Sequence, residues 1–294
     1  MNNNFPKKFP PQKQNVQPGI EEDMNPRPIY KTNNEINNKT NNEINSKLKD
    51  KVAVITGGDS GIGRAIAIAY AKEGAKIAII YLNEHKDAEI TKEEIESLDG
   101  ECILLSGDIG NEEFCISAIN NIKSKFNKIN IIVNNSAEQH TCNNLEDITT
   151  EQFEKTFKTN VFGAFFITRE ALKYLTYGDC IINTTSITAY KGNEKLIDYS
   201  MTKGALTSFT RSLALNLVGK GIRVNAVAPG PVWTPLIPSS FDEFQVSMFG
   251  QNNPMKRAAQ PVEIAEAYVF LASDGASFIT GETIHINGGE NVNT

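Results

Sequence analysis

From Lys51 onward, short runs of β-branched and apolar residues alternate with longer stretches whose apolar positions recur at helical spacing. Seven of the short runs read as strands: 52–56, 76–81, 103–106, 129–134, 180–185, 223–228 and 283–286. Between them, Ile62, Ile66 and Ala69 fall on one face of the first crossover, and Phe114, Ala118, Ile122 and Phe126 on one face of the third. Strand and helix alternating in this way build a parallel sheet, because each parallel partner must be reached through a crossover. The near-continuous apolar character of the strands predicts a sheet covered on both faces.

Residues 1–47 follow a different pattern. They are rich in Asn, Pro and Lys, and the run Lys-Thr-Asn-Asn-Glu-Ile-Asn occurs at Lys31 and again at Lys39. Alone, such a composition buries too little apolar area to offset the entropy of ordering. Two readings stay open: a solvated tail, or an arm that orders by lying on its own domain or on a neighbouring subunit. Gln17-Pro18-Gly19-Ile20 and Met24-Asn25-Pro26-Arg27-Pro28 are the docking candidates. The chain therefore divides into a polar arm, 1–47, and one Rossmann-like, doubly wound α/β domain, 48–294. That domain is expected to have a seven-stranded parallel sheet with helices on both faces, and its ligand site beyond the strands' carboxyl ends.

The run Val54-Ile55-Thr56-Gly57-Gly58-Asp59-Ser60-Gly61-Ile62-Gly63-Arg64 sits where the first strand gives way to the first helix. Glycines there permit a tight turn and let backbone N–H groups approach a pyrophosphate, which the helix N-terminus favours electrostatically. Gly57, Asp59, Ser60, Gly61, Ile62 and Gly63 are thus candidate dinucleotide-binding residues. An acidic group at the end of the second strand holds the 2′-hydroxyl of NAD, and a basic one accommodates the phosphate of NADP. Here Tyr81-Leu82-Asn83-Glu84-His85-Lys86 satisfies neither rule cleanly. Asp59 would repel a 2′-phosphate at short range, so NAD is expected ahead of NADP.

The net charge of -6 offers no basic footprint for nucleic acid. Cys102, Cys115, Cys142 and Cys180 stand far apart with only three histidines beside them, which points to reduced thiols and no metal site. The N-terminus lacks the apolar stretch of a secretory signal, and no segment reaches the roughly 20 uninterrupted apolar residues of a membrane span. A soluble cytoplasmic protein without a membrane partner is expected.

Reducing a carbonyl with a nicotinamide needs a proton donor at the oxygen, and the reverse reaction needs a base there. Free tyrosine titrates near about 10, so a tyrosine base calls for an adjacent cation. In Tyr199-Ser200-Met201-Thr202-Lys203 the spacing puts phenol and ammonium on one helix face. Such pairs are common on ordinary helices, and this one takes its meaning from what surrounds it.

Together these runs resemble the short-chain dehydrogenase/reductase superfamily, from about Lys51 to Gly289, beginning with its Thr-Gly-x-x-x-Gly-x-Gly turn. The resemblance implies that Tyr199 is the acid and base, that Lys203 assists it, and that Ser186 hydrogen-bonds the substrate oxygen. It implies that Asn160 holds a water linking the lysine to solvent. It places Asp108, in Gly107-Asp108-Ile109, at the adenine ring, with Tyr81, Leu82 and Ile109 on the cofactor. Asn135, Ser136 and Ala137 would border the nicotinamide ribose, although Asn134-Asn135-Ser136-Ala137 replaces the usual Asn-Asn-Ala-Gly. Pro229-Gly230-Pro231-Val232-Trp233-Thr234 is similar to the family's Pro-Gly-x-x-x-Thr turn, so Pro229, Gly230, Val232 and Thr234 would grip the carboxamide. Gly-Gly-Asp-Ser-Gly-Ile-Gly, the arm's Pro-Arg-Pro, Trp233-Thr234-Pro235-Leu236-Ile237-Pro238 and Asn-Asn-x-Ala-Glu-Gln at Asn134 resemble a stress-associated bacterial branch with an N-terminal extension. That likeness implies a homotetramer.

Residues 235–257 form the one long insertion, where the family builds its substrate lid. Phe241, Phe244, Met248 and Phe249 either pack on the core or line an apolar pocket. No charged residue is obviously aimed into the site, so the expected substrate is a small neutral alcohol or carbonyl compound. Reduction of a 3-oxoacyl thioester is the alternative, but only Lys256 and Arg257 lie near the lid to meet an acidic acyl carrier. A non-catalytic dinucleotide-binding sensor and a polar-tailed interaction protein are the readings outside enzymology. The segments 162–175 and 199–217 carry apolar residues on more than one face, which leaves a face for partner subunits, and 278–289 offers a second contact.

Overall fold

A computed structural model describes residues 5–17, 19–31 and 47–292. Its centre is a seven-stranded, all-parallel sheet in the order β3-β2-β1-β4-β5-β6-β7. The strands are β1 Val52–Thr56, β2 Lys76–Tyr81, β3 Cys102–Ser106, β4 Ile131–Asn134, β5 Cys180–Thr184, β6 Arg223–Pro229 and β7 Thr283–Ile286. The predicted strands are found with ends moved by at most two residues. At β4 the observed strand starts later because Asn130, though its N–H still reaches the Val52 carbonyl at 2.9 Å, turns its side chain to Val52 and Asp179.

The helices are α1 Gly61–Lys72, α2 His85–Glu96, α3 Glu112–Phe126, α4 Thr150–Phe157, α5 Gly163–Ala171, α6 Thr188–Lys191, α7 Ile197–Leu217, α8 Leu236–Ser240, α9 Glu243–Ser247 and α10 Pro261–Ala272. The period of two along each strand divides the core. Ala53, Ile55, Ile77, Ile79 and Val133 point to one face and bury Ile66 of α1 and Ile264 of α10. Val52, Val54, Ala78, Ile80 and Ile132 point to the other and bury Ile119 of α3, Ile167 of α5 and Leu217 of α7. Strands apolar on both faces are therefore the direct consequence of helices on both sides. The strand order reverses between β1 and β4, which opens a crevice at their carboxyl ends.

The described part of the arm lies on this domain. Phe9 stacks on Trp233 with ring centroids 3.8 Å apart and planes 7° from parallel. Met24, Ile237, Val246 and Ala258 close the same apolar cluster, and Phe241 and Phe249 pack against it. The Trp233 indole N–H donates to the Pro26 carbonyl at 2.8 Å, while Ile29 N–H donates to the Gln260 side-chain Oε1 at 2.8 Å and the Ile29 carbonyl accepts from Val262 N–H at 3.1 Å, at the start of α10. Of the two docking candidates, the second is thus seated on Trp233; in the first, Pro18 lies outside the described residues, as does the repeat from residue 32 to residue 45. Among the described residues no helix is long and apolar enough to cross a membrane. All four cysteines are free, with Cys142 partly exposed and the others buried.

Candidate active site

At the carboxyl edge of the sheet lies a cavity of about 430 Å³, lined by the turns that follow β1, β2, β3, β4, β5 and β6. The first turn fits a dinucleotide. Gly57 and Gly61 hold φ of +65° and +52°, a region costly for other residues. A Cβ on Gly57 would come to 3.1 Å from Ser136 Oγ, and one on Gly61 to 3.1 Å from the Thr234 side chain. Gly63 does not line the cavity; a Cβ there would sit 1.8 Å from the Gly57 carbonyl, so its role is to let α1 close on the turn. Ile62 lines the cavity, and its N–H in the first turn of α1 has no partner among the described residues, as an anion-binding helix start requires.

The rest of the cradle comes from the neighbouring strands. Asn135 N–H donates to Thr56 Oγ1 at 2.9 Å, and its carboxamide donates to the Thr56 and Gly57 carbonyls, locking the turn after β4 to the turn after β1. Ser136 and Ala137 follow at the cavity wall, as do Tyr81, Leu82, Asp108, Ile109, Pro229, Gly230, Val232 and Thr234. Asp108 Oδ1 accepts from Gly110 N at 2.7 Å, which stiffens its loop. Asp59 is buried beside Glu84, and that burial with the neighbouring carboxylate pushes it up to about 6. Glu84, which also lines the cavity, is raised by burial as well.

Ser186, Tyr199 and Lys203 meet at the end of β5. Ser186 Oγ accepts from the N–H and hydroxyl of Thr188, each at 3.1 Å, and lies near enough to the Tyr199 hydroxyl to pull its phenol down. Lys203, one helical turn after Tyr199 on α7, donates from Nζ to the Thr184 carbonyl at 2.8 Å and sits 5.4 Å from the centre of the Tyr199 ring. Burial, more than this ammonium, dominates the phenol. Burial pushes Tyr199 up to about 12 against the pull of Ser186, and the same burial pushes Lys203 down to about 7. Removing both groups from water disfavours both charged forms more than their proximity favours them.

Asn160 occupies a π-wound turn, Lys158–Phe162, between α4 and α5. It does not reach the cavity wall. Its side chain accepts from Glu138 N at 2.9 Å and donates to the Glu138 carbonyl at 2.9 Å and to Thr202 Oγ1 at 3.0 Å. It thereby ties the turn after β4 to the helix that carries Tyr199 and Lys203.

The structure corrects the expectation that no charge is aimed into the site and that Lys256 and Arg257 are the basic groups near it. Those two do not line the cavity; Glu84, Glu138, Lys155, Lys158, Lys191 and Glu290 do. Loops distant in sequence converge there, so nothing local to any one motif showed that these charges share one cavity. The lysines are paired, Lys155 with Glu138 at 3.1 Å, Lys158 with Glu154 at 3.7 Å, and Lys191 with Glu290. Burial raises Glu138, yet hydrogen bonds from His140, Lys155 and Thr159 outweigh it and hold the carboxyl below its usual range. Of the apolar lid residues, Phe241 and Phe249 line the cavity, whereas Phe244 and Met248 face solvent. Among the described residues no cluster of side chains could hold a metal ion.

A parallel doubly wound sheet, a glycine cradle at its switch point and a buried Ser-Tyr-Lys group define a dinucleotide-dependent oxidoreductase site. Comparison with known proteins agrees: the family described as enoyl-(acyl carrier protein) reductase matches residues 57–291. General stress protein 39 of Bacillus subtilis is 53% identical over 99% of both chains. Glucose and ribitol dehydrogenase of Daucus carota is 50% identical over 97% of this chain and 98% of that one. Among solved structures, a short-chain dehydrogenase from Burkholderia cenocepacia in complex with NADP superposes with a TM-score of 0.79 at 28% identity, covering 84% of this chain and all (100%) of the other. A 3-ketoacyl-(acyl-carrier-protein) reductase from Brucella melitensis complexed with NADH gives 0.76 at 33% identity over 83% and 100%. The chain belongs to the short-chain dehydrogenase/reductase family and is an NAD(P)-dependent oxidoreductase.

Behind the cradle the arm contributes a carboxylate to α1. Gly61 N–H donates to Glu21 Oε2 at 2.7 Å, and Glu21 forms a buried ion pair with Arg64, which also reaches Asp87 Oδ1 at 3.3 Å. Burial outweighs Arg64 and pushes Glu21 from its ordinary 4.5 up to about 7. Between those values the folded protein binds more protons than the unfolded chain, so this group's contribution to stability is full below 4.5 and is lost as pH rises through about 7. Relative to Glu21→Gln, wild-type stability from urea midpoints should fall by on the order of 1–3 kcal/mol between about pH 5 and about pH 8. A difference that grows over that range would contradict this assignment.

Proposed function

We propose that this protein is an NAD-preferring reductase of small neutral carbonyl compounds, reversible toward the alcohol, with residues 48–294 as the catalytic domain. The observation that carries the reading is the meeting of Ser186, Tyr199 and Lys203 at the mouth of the glycine cradle. When bound, the nicotinamide cofactor supplies the hydride. Ser186 Oγ and the Tyr199 hydroxyl hold the substrate oxygen, and Tyr199 delivers its proton to that atom. The phenol is protonated at neutral pH, as a proton donor for reduction must be, and burial reinforces that state. Lys203, fixed by the Thr184 carbonyl, returns a proton to the tyrosine oxygen, and Asn160 holds the helix bearing both in register with the turn after β4.

The preference for NAD rests on charge. Asp59 and Glu84 line the cavity below the end of β2, and the nearby guanidinium of Arg64 is buried and engaged by Glu21 and Asp87. A 2′-phosphate would meet two carboxylates and no free cation among the described residues. A neutral substrate is supported by the ion-paired state of the lysines at the cavity, which leaves no unpaired basic rim for an acidic acyl carrier. The named activity of the carrot relative on glucose and ribitol is in keeping with this class.

The assembly we propose is a homotetramer in the cytoplasm, where the four free thiols stay reduced. Phe162, Phe165, Met201 and Leu215 leave apolar surface exposed on the two helices flanking the site, and Phe278 is fully exposed near the C-terminus.

Tyr199→Phe should lower kcat for aldehyde reduction by about 10²–10⁴-fold while NADH still binds, as followed by nicotinamide fluorescence. Undiminished turnover would remove Tyr199 from the chemistry. NADH should exceed NADPH in kcat/KM by roughly tenfold or more, with Asp59→Arg narrowing that gap; a wild-type preference for NADPH would show that Asp59 and Glu84 do not set the choice. Light scattering at about micromolar concentration should return four times the chain mass, and a monomer there would refute the interface reading.

A further inference from the structure

The arm reaches the catalytic cavity itself. Gln17 lines it, and its carboxamide grips the main chain of Gln139 from both sides: Gln139 N–H donates to Gln17 Oε1 at 3.0 Å, and Gln17 Nε2 donates to the Gln139 carbonyl. Next to this clamp, Gly19 abuts the first residue of the lid so closely that a Cβ would stand 2.3 Å from the Pro235 carbonyl, and Gln14 N–H donates to the Pro238 carbonyl at 2.6 Å. The arm therefore bridges two walls of the cavity, the turn after β4 and the lid.

What the clamp presents is the side chain of Gln139. That residue is 5% exposed and lines the cavity, yet its carboxamide makes no hydrogen bond to any other described residue. A carboxamide that lines the cavity with neither its donor nor its acceptor paired within the protein is completed by whatever occupies the cavity. The group it suits is a hydroxyl, which both donates and accepts. Glu138, the preceding residue, is already occupied by Lys155 and Thr159, so it does not compete for the same partner.

We propose that Gln139 is a specificity-determining residue that hydrogen-bonds a hydroxyl group on the substrate, and that Gln17 of the arm is the positioning residue that fixes it there. This inference rests on the carbonyl-reductase reading and narrows its substrates to hydroxylated carbonyl compounds and the corresponding polyols. It also assigns the arm a part in substrate choice, separate from its apolar docking through Phe9.

The test uses the full-length protein with glyceraldehyde and propanal, which share chain length and differ in hydroxyls, and calorimetric binding of erythritol to the NAD-loaded protein. Wild type should favour glyceraldehyde in kcat/KM, and Gln139→Met, similar in size but without the amide, should cut the glyceraldehyde-to-propanal ratio by roughly tenfold, the usual weight of one or two hydrogen bonds. Gln17→Leu should move the same ratio in the same direction, through a raised KM for glyceraldehyde with kcat kept. Gln17→Glu, which retains the acceptor for Gln139 N–H, should recover part of it. Erythritol should bind wild type and weaken on Gln139→Met by a similar factor. A ratio and an erythritol affinity that Gln139→Met leaves in place overturn the proposal. If neither aldehyde turns over while erythritol binding still depends on Gln139, the reaction assignment fails and the hydroxyl subsite stands.

Discussion

A lysine ammonium and a tyrosine hydroxyl removed from water together, one helical turn apart, are the constraint around which the site is arranged. Lys203 is 1% exposed and its Nζ has one fixed acceptor, the Thr184 carbonyl at the end of β5. Burial of this kind disfavours charge on both groups, which is why the phenol stays protonated and the amine titrates near about 7. The environment must then hold α7 in place against its own cost. Asn160 does so through Thr202, and Asn183 does so from the sheet through Thr210, 2.8 Å from its Nδ2.

The second organising feature is charge behind the cradle. Arg64 lies in the first turn of α1, is 3% exposed, and is surrounded by Glu21, Asp87 and the Asp59 carbonyl. A buried arginine without partners would cost several kcal/mol; with them it fixes the start of the helix and the turn that precedes it. One of those partners comes from the arm, so the polar N-terminal segment is coupled to the catalytic domain by an ion pair as well as by Phe9 stacked on Trp233. The arm, the lid and the cradle behave as one packed unit over the carboxyl edge of the sheet.

Much of the fold was legible because its signals are local. Strand runs with apolar residues on both faces, crossover helices with one apolar stripe, and glycines between β1 and α1 each require only a few neighbouring residues to be recognised. The Tyr199–Lys203 spacing and the position of Ser186 after β5 are local in the same sense, and the structure brings those three together. Asn160 was singled out by its motif, and its side chain bonds Glu138 and Thr202 behind the cavity wall. Gly63 likewise serves packing of helix on turn.

What the sequence by itself determined is the order of elements and the candidate groups at the strand ends, since periodicity and turn chemistry are properties of short stretches. Only the tertiary structure decided which distant groups share the cavity: Gln17 from the arm, Glu84 beyond β2, Glu138 and Gln139 beyond β4, Lys191 and Glu290 across the mouth. It also decided how far water is withdrawn from Tyr199 and Lys203, on which any stabilisation of a phenolate by the lysine depends. Burial and long-range charge are sums over the whole molecule, and no window of residues along the chain contains them.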